Sequence, residues 1–187
     1  MYANGKKEGR EQVAFMLHVL TPDCVFETIF EITPAFLQKR GIRGALIDID
    51  GTASSHRMRL PSEELCAYVD SLQKAGIKVL FLSNNKAARV RAFSGPMGVR
   101  WVSRATKPLS RGFRMGAEQL GLPMNEIAVI GDQIFTDVLG GNRMGALTCQ
   151  VQSIDRGEFW IGVRCRIEKS FIERGRRKMQ EDEGHVH

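Results

Sequence analysis

Asp48 and Asp50 stand one residue apart at the end of an apolar run, in the stretch LIDIDGTA at 46–53, and Gly51 and Thr52 follow at once. Two carboxylates aimed at one place repel and lose hydration, so a strand that only packed a core would carry something neutral there. A positive partner is therefore required beside them. So partnered, such a pair can supply a nucleophile and a general acid–base. Further polar groups end other apolar runs: Ser83-Asn84-Asn85 after KVLFL, Lys107-Pro108 in the loop after VRWV, and Gly131-Asp132 after IAVI, with Asp137 five residues on.

The elements that must position these groups read as alternation. Strands are expected near Ala45 to Asp48, at 78–83, 99–102, 127–131 and 146–151. Helices are expected near Ser62 to Ala75, Lys86 to Phe93 and Leu109 to Leu120, and after Phe135. Strands apolar on consecutive positions and separated by helices indicate a parallel sheet covered on both faces. Thr21-Pro22 and Thr33-Pro34 both read as helix starts, a capping hydroxyl followed by a proline in the first turn. In such a sheet ligands bind outside the carboxyl ends of the strands, where every one of these polar groups falls.

At 187 residues and 43% hydrophobic the chain is long enough for one domain with a real core. No apolar run approaches the roughly 20 residues of a membrane span, which points to a cytoplasmic protein. Cys24, Cys66, Cys149 and Cys165 are scattered without a paired motif, fitting reduced thiols better than disulfides or a zinc site. The net charge is +6, and its distribution says more than its sum. From Ser83 to Ala117 there is no acid, against Lys86, Arg89, Arg91, Arg100, Arg104, Lys107, Arg111 and Arg114. A second basic run fills 164–178. Charge of this kind suits an anionic partner, although solvated helix faces give the same pattern.

The ordered motifs DIDGT at 48–52, LSNN at 82–85, KP at 107–108 and GDQIFTD at 131–137 resemble those of haloacid dehalogenase (HAD) superfamily phosphatases. Within that superfamily the chain is most similar to the subclass IIIA, YqeG-like group related to phosphatidylglycerophosphate phosphatases. The resemblance implies an α/β fold, a HAD-like Rossmannoid three-layer sandwich with a mostly parallel central sheet. It implies a phosphomonoester hydrolase that uses Mg²⁺ and an aspartyl-phosphate intermediate. Gly51 and Ala53 depart from the group, which usually has asparagine and a large apolar residue beside the threonine. That difference bears on the substrate rather than on the chemistry.

On this resemblance Asp48 is the nucleophile and Asp50 the general acid–base, its pKa raised by its neighbour while Asp48 stays ionised. Asp48, the main-chain carbonyl of Asp50 and Asp132 would supply hard oxygen ligands to Mg²⁺. Gly51, Thr52, Ser83 and Asn84 would surround the phosphoryl group, and Lys107 would hold both it and the nucleophile. Asp137 would support the metal shell or Lys107. Each residue has a plainer reading, as a turn cap or an exposed charge, but their joint placement argues for a site. His56, His18, His185 and His187 show no partner pattern.

Only 35 residues separate Asp48 from Ser83 and 24 separate Ser83 from Lys107, and a helix plus a strand consumes nearly all of each interval. No cap domain fits. An uncovered site favours phosphate on something large: a lipid headgroup, with phosphatidylglycerophosphate leading, or alternatively a protein or a nucleic-acid end. A degenerate domain kept as a basic binding module is a third reading. Val163, Ile167, Phe171 and Ile172 recur at helical spacing among arginines, as in a basic helix lying on anionic lipid or one docked on its own sheet. The expected organisation is thus a disordered segment at 1–10, one phosphatase domain over 11–162, a basic helix over 163–180 and a disordered tail at 181–187. Peripheral membrane contact is an open option.

Overall fold

The computed structural model describes residues 12, 14–155 and 163–184. The expectation for residues 1–10 falls outside them. The chain enters through a helix over 14–20 (α1) and then forms β1 (Cys24–Phe26), α2 (Pro34–Lys39), β2 (Gly44–Ile47) and α3 (Glu63–Lys74). It continues through β3 (Lys78–Leu82), α4 (Ala87–Ser94), β4 (Arg100–Val102), α5 (Ser110–Leu120) and β5 (Ile127–Gly131). A wide π-type turn (Ile134–Val138) leads into α6 (Leu139–Met144), β6 (Leu147–Val151) and α7 (Val163–Gly184).

The six strands make one sheet in the order β1-β6-β5-β2-β3-β4, and every neighbouring pair is parallel. Consecutive apolar residues on the inner strands face opposite layers. Ala45, Ile47, Val79 and Phe81 pack with Leu65, Val69 and Leu72 of α3 and with Val90 and Phe93 of α4. Leu46, Leu80 and Leu82 face the other way, onto Phe113 and Leu120 of α5. Burying each such side chain contributes roughly 1.5–3 kcal/mol, which is why these strands are apolar on both faces. The result is a three-layer α/β sandwich, and among the described residues there is no cap domain.

Local rules account for most boundaries. Ser62 caps α3 by accepting from the Leu65 amide, Glu63 and Glu64 fill its first turn, and Lys74 its last. Thr33 caps α2 ahead of Pro34, as its sequence requires. Thr21-Pro22 does not start a helix. α1 ends there, with the Thr21 hydroxyl donating to the Leu17 carbonyl, and the chain turns into the three-residue edge strand β1. α7 runs to Gly184, four residues past the expected 180, and residues 185–187 fall outside the described part. Its Phe171 and Ile172 pack with Val19, Leu20, Ile134 and Val138, and Lys178 and Arg176 pair with Asp23 and Glu27. The stripe is therefore docked on its own domain where it is described; the side chains of Val163 and Ile167 lie outside that description.

Candidate active site

The carboxyl ends of β2, β3, β4 and β5 deliver the sequence-identified residues to one place. A cleft of about 180 Å³ is lined by Asp48, Asp50, His56, Ser83, Asn84, Asn85, Lys107, Gln133 and Thr136. Gly51, Thr52, Asp132 and Asp137 lie against it. Gly51 takes φ +90°, and a Cβ there would stand 2.4 Å from Asp132 Oδ2, so only glycine allows the β2 loop to close on that carboxylate. The Thr52 hydroxyl completes the contact, donating to Asp132 Oδ1 at 3.2 Å. Gly131 has the same function on the other side: a Cβ would lie 2.3 Å from Asp137 Cγ.

Lys107 is the centre of the charge arrangement. Its Nζ donates to Asp48 Oδ1 and to Asp137 Oδ1, both at 2.6 Å, and all three side chains are buried. Main-chain bonds aim it: Ala105 and Arg104 donate to the carbonyls of Ser83 and Asn85, and the Lys107 amide donates to Asn84 Oδ1 at 2.8 Å. Asn84 Nδ2 returns a bond to the Lys107 carbonyl at 3.3 Å. Thr106, immediately before it, sits at φ +56°, a strained left-handed conformation for a β-branched residue. Asn84, expected around the phosphate, thus spends its amide on the Lys107 main chain. Ser83 is buried, and its Oγ accepts from the Asn85 amide at 3.1 Å.

Burial pushes the Asp48 carboxyl up to about 7, against the pull of Lys107 and with Asp137 adding to the rise. Asp132 is raised too, first by burial, while bonds from Ser153 and Thr52 oppose it. Burial alone would lower Lys107, but Asp137 and Asp48 outweigh it and hold its ammonium charged. The expectation that Asp48 stays ionised runs opposite to what burial does to this carboxyl. Asp50 Oδ1 lies 2.7 Å from Arg89 Nη2 and 3.5 Å from His56 Nδ1, and Oδ2 accepts from Asn85 Nδ2 at 2.7 Å.

Carboxylate oxygens of Asp48, Asp132 and Asp137 lie within 4.8 Å of one another. Two buried acids, Asp48 and Asp137, and the half-buried Asp132 face the single ammonium of Lys107, a set of hard oxygen donors that complements a divalent cation. Asp137 joins this group, while Asp50, from which only the main-chain carbonyl was expected, turns its carboxylate to Arg89 and Asn85. His56 and Arg89 are residues that sequence reasoning did not bring to the site, and Asn85, placed at the sheet edge by its motif, had been given no role there. Only the position of Arg89 in the acid-free window, one turn into the helix after Asn85, pointed in its direction. His56 carried no signal.

Comparison with known proteins agrees with this geometry. The family profile described as a haloacid dehalogenase-like hydrolase matches residues 9–145. The chain is 32% identical over 166 residues to "Probable phosphatase YqeG" of Bacillus subtilis, covering 88% of this chain and 94% of that one. It is 25% identical over 158 residues to "Phosphatidylglycerophosphate phosphatase 1, chloroplastic/mitochondrial" of Arabidopsis thaliana, covering 76% of this chain but only 44% of that protein. Its fold is similar to the cobalt-bound deoxy-D-mannose-octulosonate 8-phosphate phosphatase of Haemophilus influenzae, with TM-score 0.50, 16% identity, and 60% and 69% of the two chains covered. With its motifs gathered at one sheet edge and the family profile spanning most of its length, the chain belongs to the haloacid dehalogenase-like hydrolases and is a hydrolase of phosphoric monoesters.

Proposed function

We propose that the chain is a Mg²⁺-dependent phosphatase that forms an aspartyl-phosphate on Asp48 and acts on a lipid phosphate such as phosphatidylglycerophosphate. The observation that carries this reading is the uncovered cleft whose floor holds Asp48 against Lys107. The name of the Arabidopsis relative supports the substrate.

An Asp48 oxygen attacks phosphorus as the bond to the substrate alkoxide breaks, and Asp50 gives that oxygen a proton. Asp50 then takes a proton from water, whose oxygen attacks phosphorus and releases inorganic phosphate from Asp48. Arg89 and Asn85 hold the Asp50 carboxyl in the cleft through its two oxygens. Lys107 stays on Asp48 and meets the charge that develops on the phosphoryl oxygens. Asp48, Asp132 and Asp137 would hold Mg²⁺, which supplies Lewis-acid neutralisation of that charge when bound. In this reading the enzyme meets its lipid peripherally, from the cytoplasmic side; no described helix is long and apolar enough to cross a membrane.

The test is phosphate release with and without Mg²⁺, wild type beside Asp48→Asn, on phosphatidylglycerophosphate micelles, an aryl phosphate and a 5′-phosphorylated oligonucleotide. Mg²⁺-dependent turnover, fastest on the lipid and lost in the variant, is expected. Appreciable turnover by Asp48→Asn sinks the mechanism, and faster turnover of the oligonucleotide moves the substrate to nucleic-acid ends, which the basic window also suits. No turnover of any substrate, with salt-sensitive oligonucleotide binding, favours a binding module.

A further inference from the structure

Seven large apolar side chains stand exposed among the described residues: Phe15, Met16, Met58, Leu60, Leu109, Met115 and Ile154. Four of them belong to loops that carry cleft residues or bond to the loop after β2. Met58 and Leu60 lie two and four residues past His56, Leu109 lies two past Lys107, and the Ile154 amide donates to the Gly51 carbonyl at 2.8 Å. Arg89 Nη1 donates to the Met58 carbonyl at 2.6 Å, which ties the loop carrying Met58 to α4 beside the mouth. Leu109, 62% exposed, also occupies the N-cap of α5 and leaves that cap without a side-chain bond. Leucine is among the poorest residues for that position, and here it gains no burial in exchange.

The charges around this mouth break a local rule in the same way. α4 and α5 have no acid in their first turns, and Lys86 and Arg111 stand where the helix dipole prefers anions. α3, by contrast, begins with Glu63 and Glu64. Neither Lys86 nor Arg111 makes an ion pair among the described residues. Apolar tips set among unpaired cations suit a surface that offers both an apolar layer and negative charge. A nucleic acid offers the second but not the first.

We propose that the mouth of the cleft is a docking face for an anionic lipid bilayer, with Met58, Leu60, Leu109 and Ile154 entering the boundary between headgroups and acyl chains. Lys86 and Arg111 meet the lipid phosphates. The proposal deepens the lipid-phosphate reading and rests on it for its biological sense, yet its test separates the two. The full chain is sedimented with vesicles of phosphatidylglycerol and phosphatidylcholine, or of phosphatidylcholine alone, and assayed on a soluble aryl phosphate with Mg²⁺. Wild type is expected to bind the anionic vesicles at least ten-fold more tightly. The triple variant Met58→Ser, Leu60→Ser, Leu109→Ser should lose ten-fold or more of that binding and keep aryl phosphate turnover. Leu109→Ser alone should raise the thermal midpoint, because serine caps α5, while weakening vesicle binding. Vesicle binding unchanged in the triple variant overturns the proposal. So does absence of vesicle binding beside normal aryl phosphate turnover, or displacement from vesicles by an equal concentration of oligonucleotide phosphates. Apolar-dependent vesicle binding without any turnover supports the docking face and removes the catalytic reading instead.

Discussion

Lys107 Nζ lies 2.6 Å from Asp48 Oδ1, a buried contact across 59 residues of chain. It joins the end of β2 to the loop after β4, and through its second bond to Asp137 it also reaches the turn after β5. Lys107→Met would leave two buried carboxylates facing each other. The expected outcome is a loss of about 3–5 kcal/mol in stability, measured by urea unfolding, and a loss of turnover of at least about 10³-fold. A variant as stable and active as wild type contradicts the central place given to this contact.

Asp48 also sets a pH dependence for the metal-free protein. Its folded-state pKa is raised from the usual 3.8 to about 7, so the folded state keeps its proton longer than the unfolded chain does. The stability contributed by this group therefore falls as pH rises from about 4 to about 7 and is level above. A shift of that size corresponds to a few kcal/mol, of order 2–4. Asp48→Asn should flatten the slope in that window, and unfolding midpoints from pH 4 to 8 in a chelator check it. An unchanged slope in the variant assigns the proton elsewhere.

Added Mg²⁺ should raise the thermal midpoint of the wild type, because the negative charge of Asp48, Asp132 and Asp137 is then neutralised. At a hundred times its dissociation constant the gain is about 2.7 kcal/mol, on the order of 5–10 °C for a domain of this size. Asp132→Asn should lose most of this response, and an excess of chelator should reverse it in the wild type. A full response in Asp132→Asn would remove that residue from the ligand set.

Asn84 separates two roles that differ in kinetics. As a clamp on the Lys107 main chain it positions the lysine, and Asn84→Ala should lower kcat about 10- to 100-fold with KM within about threefold. As a phosphate ligand, the role expected from the sequence, it would raise KM instead. Steady-state kinetics on an aryl phosphate distinguish these.

Much of this arrangement was legible in the residues. Runs such as KVLFLS and IAVIG announce strands buried on both faces, and a polar residue ending each run marks the sheet edge where a site forms. What escaped were features decided by three-dimensional neighbours. β1 is three residues long and follows a Thr-Pro pair that imitates a helix start, so its pairing with β6 outweighs its own sequence signal. The stripe on α7 was visible, but only the packing of Phe171 against α1 and the π-type turn says which surface it meets. Arg89 reaches Asp50 across 39 residues, and no spacing rule connects them. Asn84 looked like one more polar group beside a phosphate, because a main-chain clamp leaves no trace in side-chain chemistry.

Among the described residues the first strand of the sheet pairs only with the last, Cys24 opposite Cys149. On a ribosome that adds about 5–20 residues per second, β1 is complete several seconds before its partner exists. Until then the nascent chain carries an unpaired strand edge, the kind of surface that recruits a neighbouring chain or a chaperone. Further synthesis brings in β6 and then α7, which both pack on β1, so the domain closes this edge only after more than 120 further residues have followed Cys24.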